Sequence, residues 1–182
     1  MWRPGFAYEE RCSALLYGYR RSLCILSTRY RGTPEKPGLV LGLERGGCCR
    51  GVAFRVAQAD AEATQAYLFE RELPTKVYFP RHPSIKLADG RRVNALAFVV
   101  DPDHEQYRRL GEVEKIHYLL QGVGKEGPAI DYLANTVRHM RELGFAGGDL
   151  ERLLHKAMGE KNRRRKLRLF CPEILFRGYF LV

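Results

Sequence analysis

Apart from one helix, the apolar positions of the first hundred residues fall in short β-compatible runs, and beyond them they take helical spacing. Arg21-Ser22-Leu23-Cys24-Ile25-Leu26-Ser27-Thr28 contains no Gly or Pro and predicts a strand, after a short opening rich in aromatic residues. Leu39 to Val56 holds two strand-like runs around Arg45-Gly46-Gly47, whose glycines can take positive φ, and predicts a hairpin. Asp60 to Leu73 is rich in Ala, Glu, Gln and Leu and predicts a helix that Pro74 stops. Two more strands are expected between Val77 and Asp101, with the Asp89-Gly90 turn signal preceding the run Val93 to Val100.

The remainder predicts helices over Tyr107 to Leu120, Pro128 to Leu143 and Asp149 to Met158. Pro128 suits a first helical turn, Gly144 a helix end, and Asp149 after Gly147-Gly148 an N-cap. Five or more short strands followed by segregated helices define an α+β domain. Gly122-Val123-Gly124-Lys125-Glu126-Gly127 has the form GxGxxG, but a helix precedes it where dinucleotide binding needs a strand. It therefore reads as a flexible helix-to-helix loop.

Composition locates the charge. The net charge is +10, and Lys161, Arg163, Arg164, Arg165, Lys166 and Arg168 account for six of it, since Glu173 and Arg177 cancel; residues 1–160 carry +4. The expected organisation is a body over 1–160 and a basic, then apolar, extension over 161–182. That extension has the charge to meet RNA or an anionic membrane surface, but Pro172 and Gly178 break any single amphipathic helix, so neither partner is expected. The five cysteines form no CxxC pair and no His partner lies at zinc-ligand spacing, which predicts no metal site and unpaired thiols in a reducing cytoplasm. No signal sequence opens the chain and no apolar stretch approaches bilayer length.

Glu72 is the leading chemical candidate. It falls in the last turn of the predicted helix, where unpaired carbonyls and the negative dipole end oppose a second negative charge and favour a protonated carboxyl able to exchange protons. The alternative is a solvated glutamate paired with Lys76 or Arg71. In Arg29 to Gly38 two prolines and two glycines fix an irregular loop, whose guanidinium groups either grip carboxylates or point into solvent. Tyr132 lies on a helix whose apolar stripe includes Leu133, Val137 and Met140, and its phenol either reaches a pocket or sits at the core edge. The five histidines are scattered and read as structural or solvated, and no GxSxG or activated thiol setting occurs.

Met1-Trp2-Arg3-Pro4-Gly5-Phe6, Tyr17-Gly18-Tyr19-Arg20-Arg21, the Arg29 to Gly38 loop, Leu41-Gly42-Leu43, Gly46-Gly47, Cys49 to Val56, Arg71-Glu72 and Asp131-Tyr132-Leu133 resemble, in this order, the ChaC-like γ-glutamylcyclotransferases specific for glutathione. The resemblance runs from Met1 to about Met158. It implies a small β-barrel flanked by helices, Glu72 as catalytic base and acid, and glutathione cleaved to 5-oxoproline and cysteinylglycine without a cofactor. Tyr132, Arg31, Gly32 and Arg71 are the substrate-binding candidates. The family's Tyr-Gly-Ser-Leu loop precedes the segment that Met1-Trp2 matches, so the expectation is an upstream start, with a catalytically impaired binding relative as the alternative. Oligomeric state is left open.

Overall fold

The computed structural model describes residues 4–145 and 148–170. Met1 to Arg3, Gly147, Cys171 and the apolar run to Val182, all used above, lie outside the described residues.

Two 18-residue strands, β1 (Glu10–Ser27) and β2 (Gly38–Arg55), pair antiparallel from end to end and form the spine of the fold. The strand expected from Arg21 is therefore only the inner half of β1. Its outer half alternates too, with Leu16 buried against Ile85 and Leu87. The expected hairpin inside β2 is a correction: the chain does not reverse at Gly46-Gly47. Tyr17 pairs with Cys48 and Tyr19 with Arg45, so Gly46 and Gly47 stand opposite the single residue Gly18, and all three take positive φ. Positive φ here makes a β-bulge that bends both strands without ending either.

After a short 3₁₀ turn, helix α1 (Ala61–Glu72) matches the expected boundaries closely. The Val77 to Asp101 region holds four short strands rather than two: β3 (Tyr78–Arg81), β4 (Ser84–Leu87), β5 (Arg92–Asn94) and β6 (Ala97–Val100). The run read as one strand splits at Ala95-Leu96, because β5 pairs with β4 and β6 with β3. The resulting six-stranded order is β3-β6-β2-β1-β4-β5. In a flat sheet β5 and β6 would stand four spacings, ~19 Å, apart. The two residues between them reach only ~11 Å. The sheet must therefore curl, although no ladder joins edge strands β3 and β5 among the described residues and the barrel is not closed.

Tyr107 to Gly111, expected to be helical, is extended instead. Leu26 N–H donates to Gln106 O (2.8 Å) and Arg108 N–H to Cys24 O (2.9 Å), so this backbone is spent on the edge of β1. Helix α2 (Glu112–Gln121) starts only after Gly111, whose N–H the Glu114 carboxylate accepts at 2.8 Å. The loop expected to be flexible is a tight hairpin of β7 (Val123–Gly124) and β8 (Gly127–Pro128). Lys125 and Glu126 donate their N–H groups to Arg29 O (3.0 Å) and Tyr30 O (2.9 Å), tying the hairpin to the Arg29 to Gly38 loop. A Cβ on Gly122 would stand 2.2 Å from Gly38 Cα, and one on Gly124 2.5 Å from Gly32 N. These glycines serve close backbone approach.

Helices α3 (Ala129–Glu142) and α4 (Asp149–Phe170) complete the chain, and α4 continues well beyond Met158, through the exposed cations Lys161 to Arg165. The main core joins Leu23, Leu26 and Leu39 of the spine to Leu119, Ile130, Leu133, Val137, Leu153 and Ala157 of α2, α3 and α4. A second cluster of Cys24, Ile25, Val77 and Val100 packs Tyr78 against the inner half of the spine. No helix among the described residues is long and apolar enough to cross a membrane.

Candidate functional site

Glu72 is the last residue of α1. Leu73 N–H still bonds Phe69 O at 3.0 Å, Pro74 prevents another turn, and Lys76 N–H bonds Leu73 O at 3.0 Å. Lys76 takes φ 56°, a left-handed geometry uncommon outside glycine, and this reversal returns the chain along the end of the helix as β3. Helix α1 contributes no fully buried residue, and Phe69 holds it edge-on to Phe98 of β6 at 6.2 Å between ring centroids.

The Glu72 side chain is 24% exposed, and its Oε1 lies 3.1 Å from Arg71 Nε. Of the two pairings foreseen, Arg71 is the one made. Arg71 Nη1 also donates to Pro4 O (3.0 Å) and to the Tyr67 hydroxyl (3.3 Å), so the opening segment is fastened to the base of the candidate carboxylate.

Two phenols converge on one residue of the spine, Leu41. Tyr78 Oη donates to Leu41 O (3.4 Å), and Leu41 N–H donates to Tyr132 Oη (3.3 Å). The Arg31 guanidinium lies 5.5 Å from the Tyr132 ring centroid, a cation–π contact, and donates to Glu126 O. Burial pushes the Tyr78 phenol well above its ordinary value, and the Glu72 charge pushes the same way. Burial likewise raises Tyr132, opposed by the Leu41 N–H and Arg31. Both hydroxyls therefore stay protonated at neutral pH.

The sequence-predicted residues thus assemble in two pairs, Glu72 with Arg71 and Tyr132 with Arg31, and Leu41 ties Tyr132 to Tyr78. Gly32 stands next to Arg31 but is buried, and a Cβ there would lie 2.1 Å from Gly38 N; its visible task is close packing. Tyr78 was missed by sequence reasoning. The available signal was an aromatic six residues beyond Glu72 across a proline-enforced turn.

Two surface hollows lie elsewhere. One, of about 490 Å³, follows the outer side of α1 from Gln58 to Phe69, and the other, of about 410 Å³, lies between β1 and the start of α4. Neither is lined by Glu72, Tyr78 or Tyr132, so chemistry and not depth identifies the candidate. The metal-type donors of Glu10, Cys12 and Asp89 come within 4.8 Å of one another, but Arg91 bonds Glu10 and Asp89 and supplies the cation there.

What this carboxylate and these donors can do is proton exchange beside a polarised carbonyl. The ChaC-like protein family model matches residues 1–159. The glutathione-specific gamma-glutamylcyclotransferase of Escherichia coli (strain K12) is 34% identical over 155 residues, covering 85% of this chain and 67% of that protein. Gamma-glutamylcyclotransferase 2-3 of Arabidopsis thaliana is 28% identical over 156 residues, covering 80% of this chain and 77% of that protein. Among solved structures, a γ-glutamyl cyclotransferase specific to glutathione from yeast superposes with a TM-score of 0.70 at 18% identity, over 84% of this chain and 89% of that one. That likeness bears on the fold.

Proposed function

The chain belongs to the ChaC-like family, and on that premise we propose that it is a γ-glutamylcyclotransferase that cleaves glutathione to 5-oxoproline and cysteinylglycine, with Glu72 carrying the proton. The observation that supports the residue assignment is the part-buried Glu72 carboxylate ending α1, six residues before Tyr78, which shares Leu41 with Tyr132.

The neutral α-amine of the γ-glutamyl moiety attacks the γ-carbonyl carbon of its own chain, closing the five-membered ring as a C–N bond forms, and Glu72 takes the one proton that the ring nitrogen must lose. As the tetrahedral species collapses, the bond to the cysteine nitrogen breaks and Glu72 returns its proton to that leaving amine. One carboxylate serves both steps, and ring closure needs no second reactant, so holding the glutamyl chain curled supplies much of the advantage. In this reading Tyr132 and Arg31 contact the substrate, Arg31 holding a carboxylate, and Arg71 orients Glu72. Every step is a proton transfer or an acyl transfer, so the chemistry requires no cofactor. We assign this activity to residues 1–160 in a reducing, cytoplasmic setting, with 161–182 as an extension outside the catalytic unit.

The test is mass spectrometry of the folded chain incubated with reduced glutathione, beside Glu72→Gln, which keeps shape and hydrogen bonding but cannot exchange the proton. The parent is expected to form both products and the variant to lose about 10²–10⁴-fold in rate. Equal turnover by both would overturn the assignment of Glu72.

A further inference from the structure

The 410 Å³ hollow between β1, the 108–112 segment, α2 and α4 has a composition that the cyclotransferase chemistry does not use. Six cations line it, Arg20, Arg21, Arg108, Arg109, Lys115 and Arg152, against three carboxylates, Glu44, Glu112 and Asp149. Each carboxylate is already engaged. Arg20 Nη2 lies 2.6 Å from Glu44 Oε1 and the Tyr107 hydroxyl donates to Glu44 Oε2 at 3.1 Å; Lys156 Nζ bonds Glu112 at 2.8 Å; Arg152 bonds Asp149.

Four cations are left without a carboxylate among the described residues. Arg21 donates to Arg50 O (3.0 Å), Arg108 to Glu105 O and Tyr107 O (both 2.7 Å), and Arg109 to the Tyr107 hydroxyl (3.2 Å). Neutral acceptors satisfy hydrogen bonds without neutralising a charge, and of the three arginines Arg109 also feels the Glu44 carboxylate, through Tyr107. The Lys115 ammonium has no hydrogen-bond or ion-pair partner among the described residues, although Lys115 is only partly exposed. Four like charges in one concave site raise one another's energy unless a counter-anion joins them. The apolar floor is Leu23, Leu110, Leu150 and Leu153, and no aromatic ring lines the hollow to stack a base.

We infer that this hollow is a binding site for a small multivalent oxyanion of the phosphate class, held by the Arg21, Arg108 and Arg109 forks and by Lys115, and separate from the Glu72 site. Guanidinium forks match phosphate oxygens in pairs, and the hollow is large enough for two or three linked phosphate groups. Recognition is by charge and oxygen geometry, so a free polyphosphate and the phosphate tail of a nucleotide are the two sources of the same chemistry.

The experiment uses calorimetric titration of the full chain with inorganic tripolyphosphate, and repeats it with ATP and with citrate. Variants Lys115→Gln and Arg109→Gln test the hollow, and Arg163→Gln with Arg164→Gln tests the competing basic run of α4. Saturable binding that weakens at least about tenfold on removing either hollow cation, and stays unchanged in the α4 variant, is the expected result. Equal affinity for ATP and tripolyphosphate would place recognition in the phosphates, as stated. No saturable binding by the parent at millimolar tripolyphosphate, equal binding of citrate, or loss only in the α4 variant would each overturn the site. Circular dichroism confirms that each variant is folded, and glutathione turnover is expected to be unchanged in the hollow variants.

Discussion

Replacing Gly122 by alanine adds one methyl group, and the structure makes it costly. Gly122 has φ −71° and ψ 120°, which any residue adopts, so the backbone itself raises no objection. The contact does. The new Cβ would lie 2.2 Å from Gly38 Cα and 2.5 Å from Arg31 O, both backbone atoms that no rotamer change can move aside. Relieving this overlap means separating the β7–β8 hairpin from the Arg29 to Gly38 loop, with a cost of about 3 kcal/mol at the upper end of ordinary overpacking. For a chain of this size that lowers the melting temperature by about 6–12 °C. Gly159 is the matched control: it is exposed within α4 with nothing within 4 Å of a Cβ, so Gly159→Ala should raise the melting temperature by about 1–4 °C through helix propensity. Differential scanning calorimetry of the two variants decides the point. Gly122→Ala melting with the parent would refute the reading of these glycines as sites of close approach.

Tyr132→Phe takes away the acceptor of Leu41 N–H and should cost about 1 kcal/mol in urea unfolding, as well as lowering kcat/KM for glutathione; an unchanged kcat/KM would remove the hydroxyl from the site. Burial, assisted by the Glu44 charge, pushes the Cys24 thiol from its ordinary value near 9 up to about 12. The unfolded chain therefore gives up this proton first, so the contribution of Cys24 to stability is intact below pH ~9 and is lost as pH climbs toward ~12. Urea midpoints between pH 8 and 10.5 should fall less steeply in Cys24→Ala than in the parent, and parallel curves would contradict the assignment. Alkylation at pH 8 should label the exposed Cys48 well before Cys24, as peptide mapping would show.

What the sequence disclosed was what neighbours in the chain decide. Glu72 at a helix end, and Arg71 beside it, follow from a good helix-forming run, a proline and a spacing of one residue. The β2 error has a different origin. Paired glycines with positive φ serve a turn or a bulge equally well, and the choice rests with the facing strand, where Gly18 sits 28 residues upstream of Gly46. The split of Val93 to Val100 has the same character, because each half pairs with a different strand. Tyr107 to Gly111 carries helical propensity, but the edge of β1 takes its backbone hydrogen bonds. In Gly122 to Gly127 the glycine spacing reads as a flexible loop, while the physical demand is a second backbone within van der Waals reach.

The same division runs through the candidate site. Its acid is local to α1, but its donors are not: Tyr78 comes from β3, Tyr132 from α3 and Arg31 from the loop between the spine strands, and they meet only because Leu41 lies between them in β2. The turn at Lys76, with its positive φ, is a local feature that bears on that meeting, since it joins the end of α1 to β3. Strain at a non-glycine residue persists where surrounding contacts over-determine it. Here those contacts are Lys76 N–H on Leu73 O and His104 Nε2 on Thr75 O at 2.9 Å, which together clamp the four residues between Glu72 and Val77. The separation of Glu72 from Tyr78 along the chain is therefore set by a turn with a proline at Pro74 and a left-handed residue at Lys76, so both the length of that turn and its backbone geometry bear on the site.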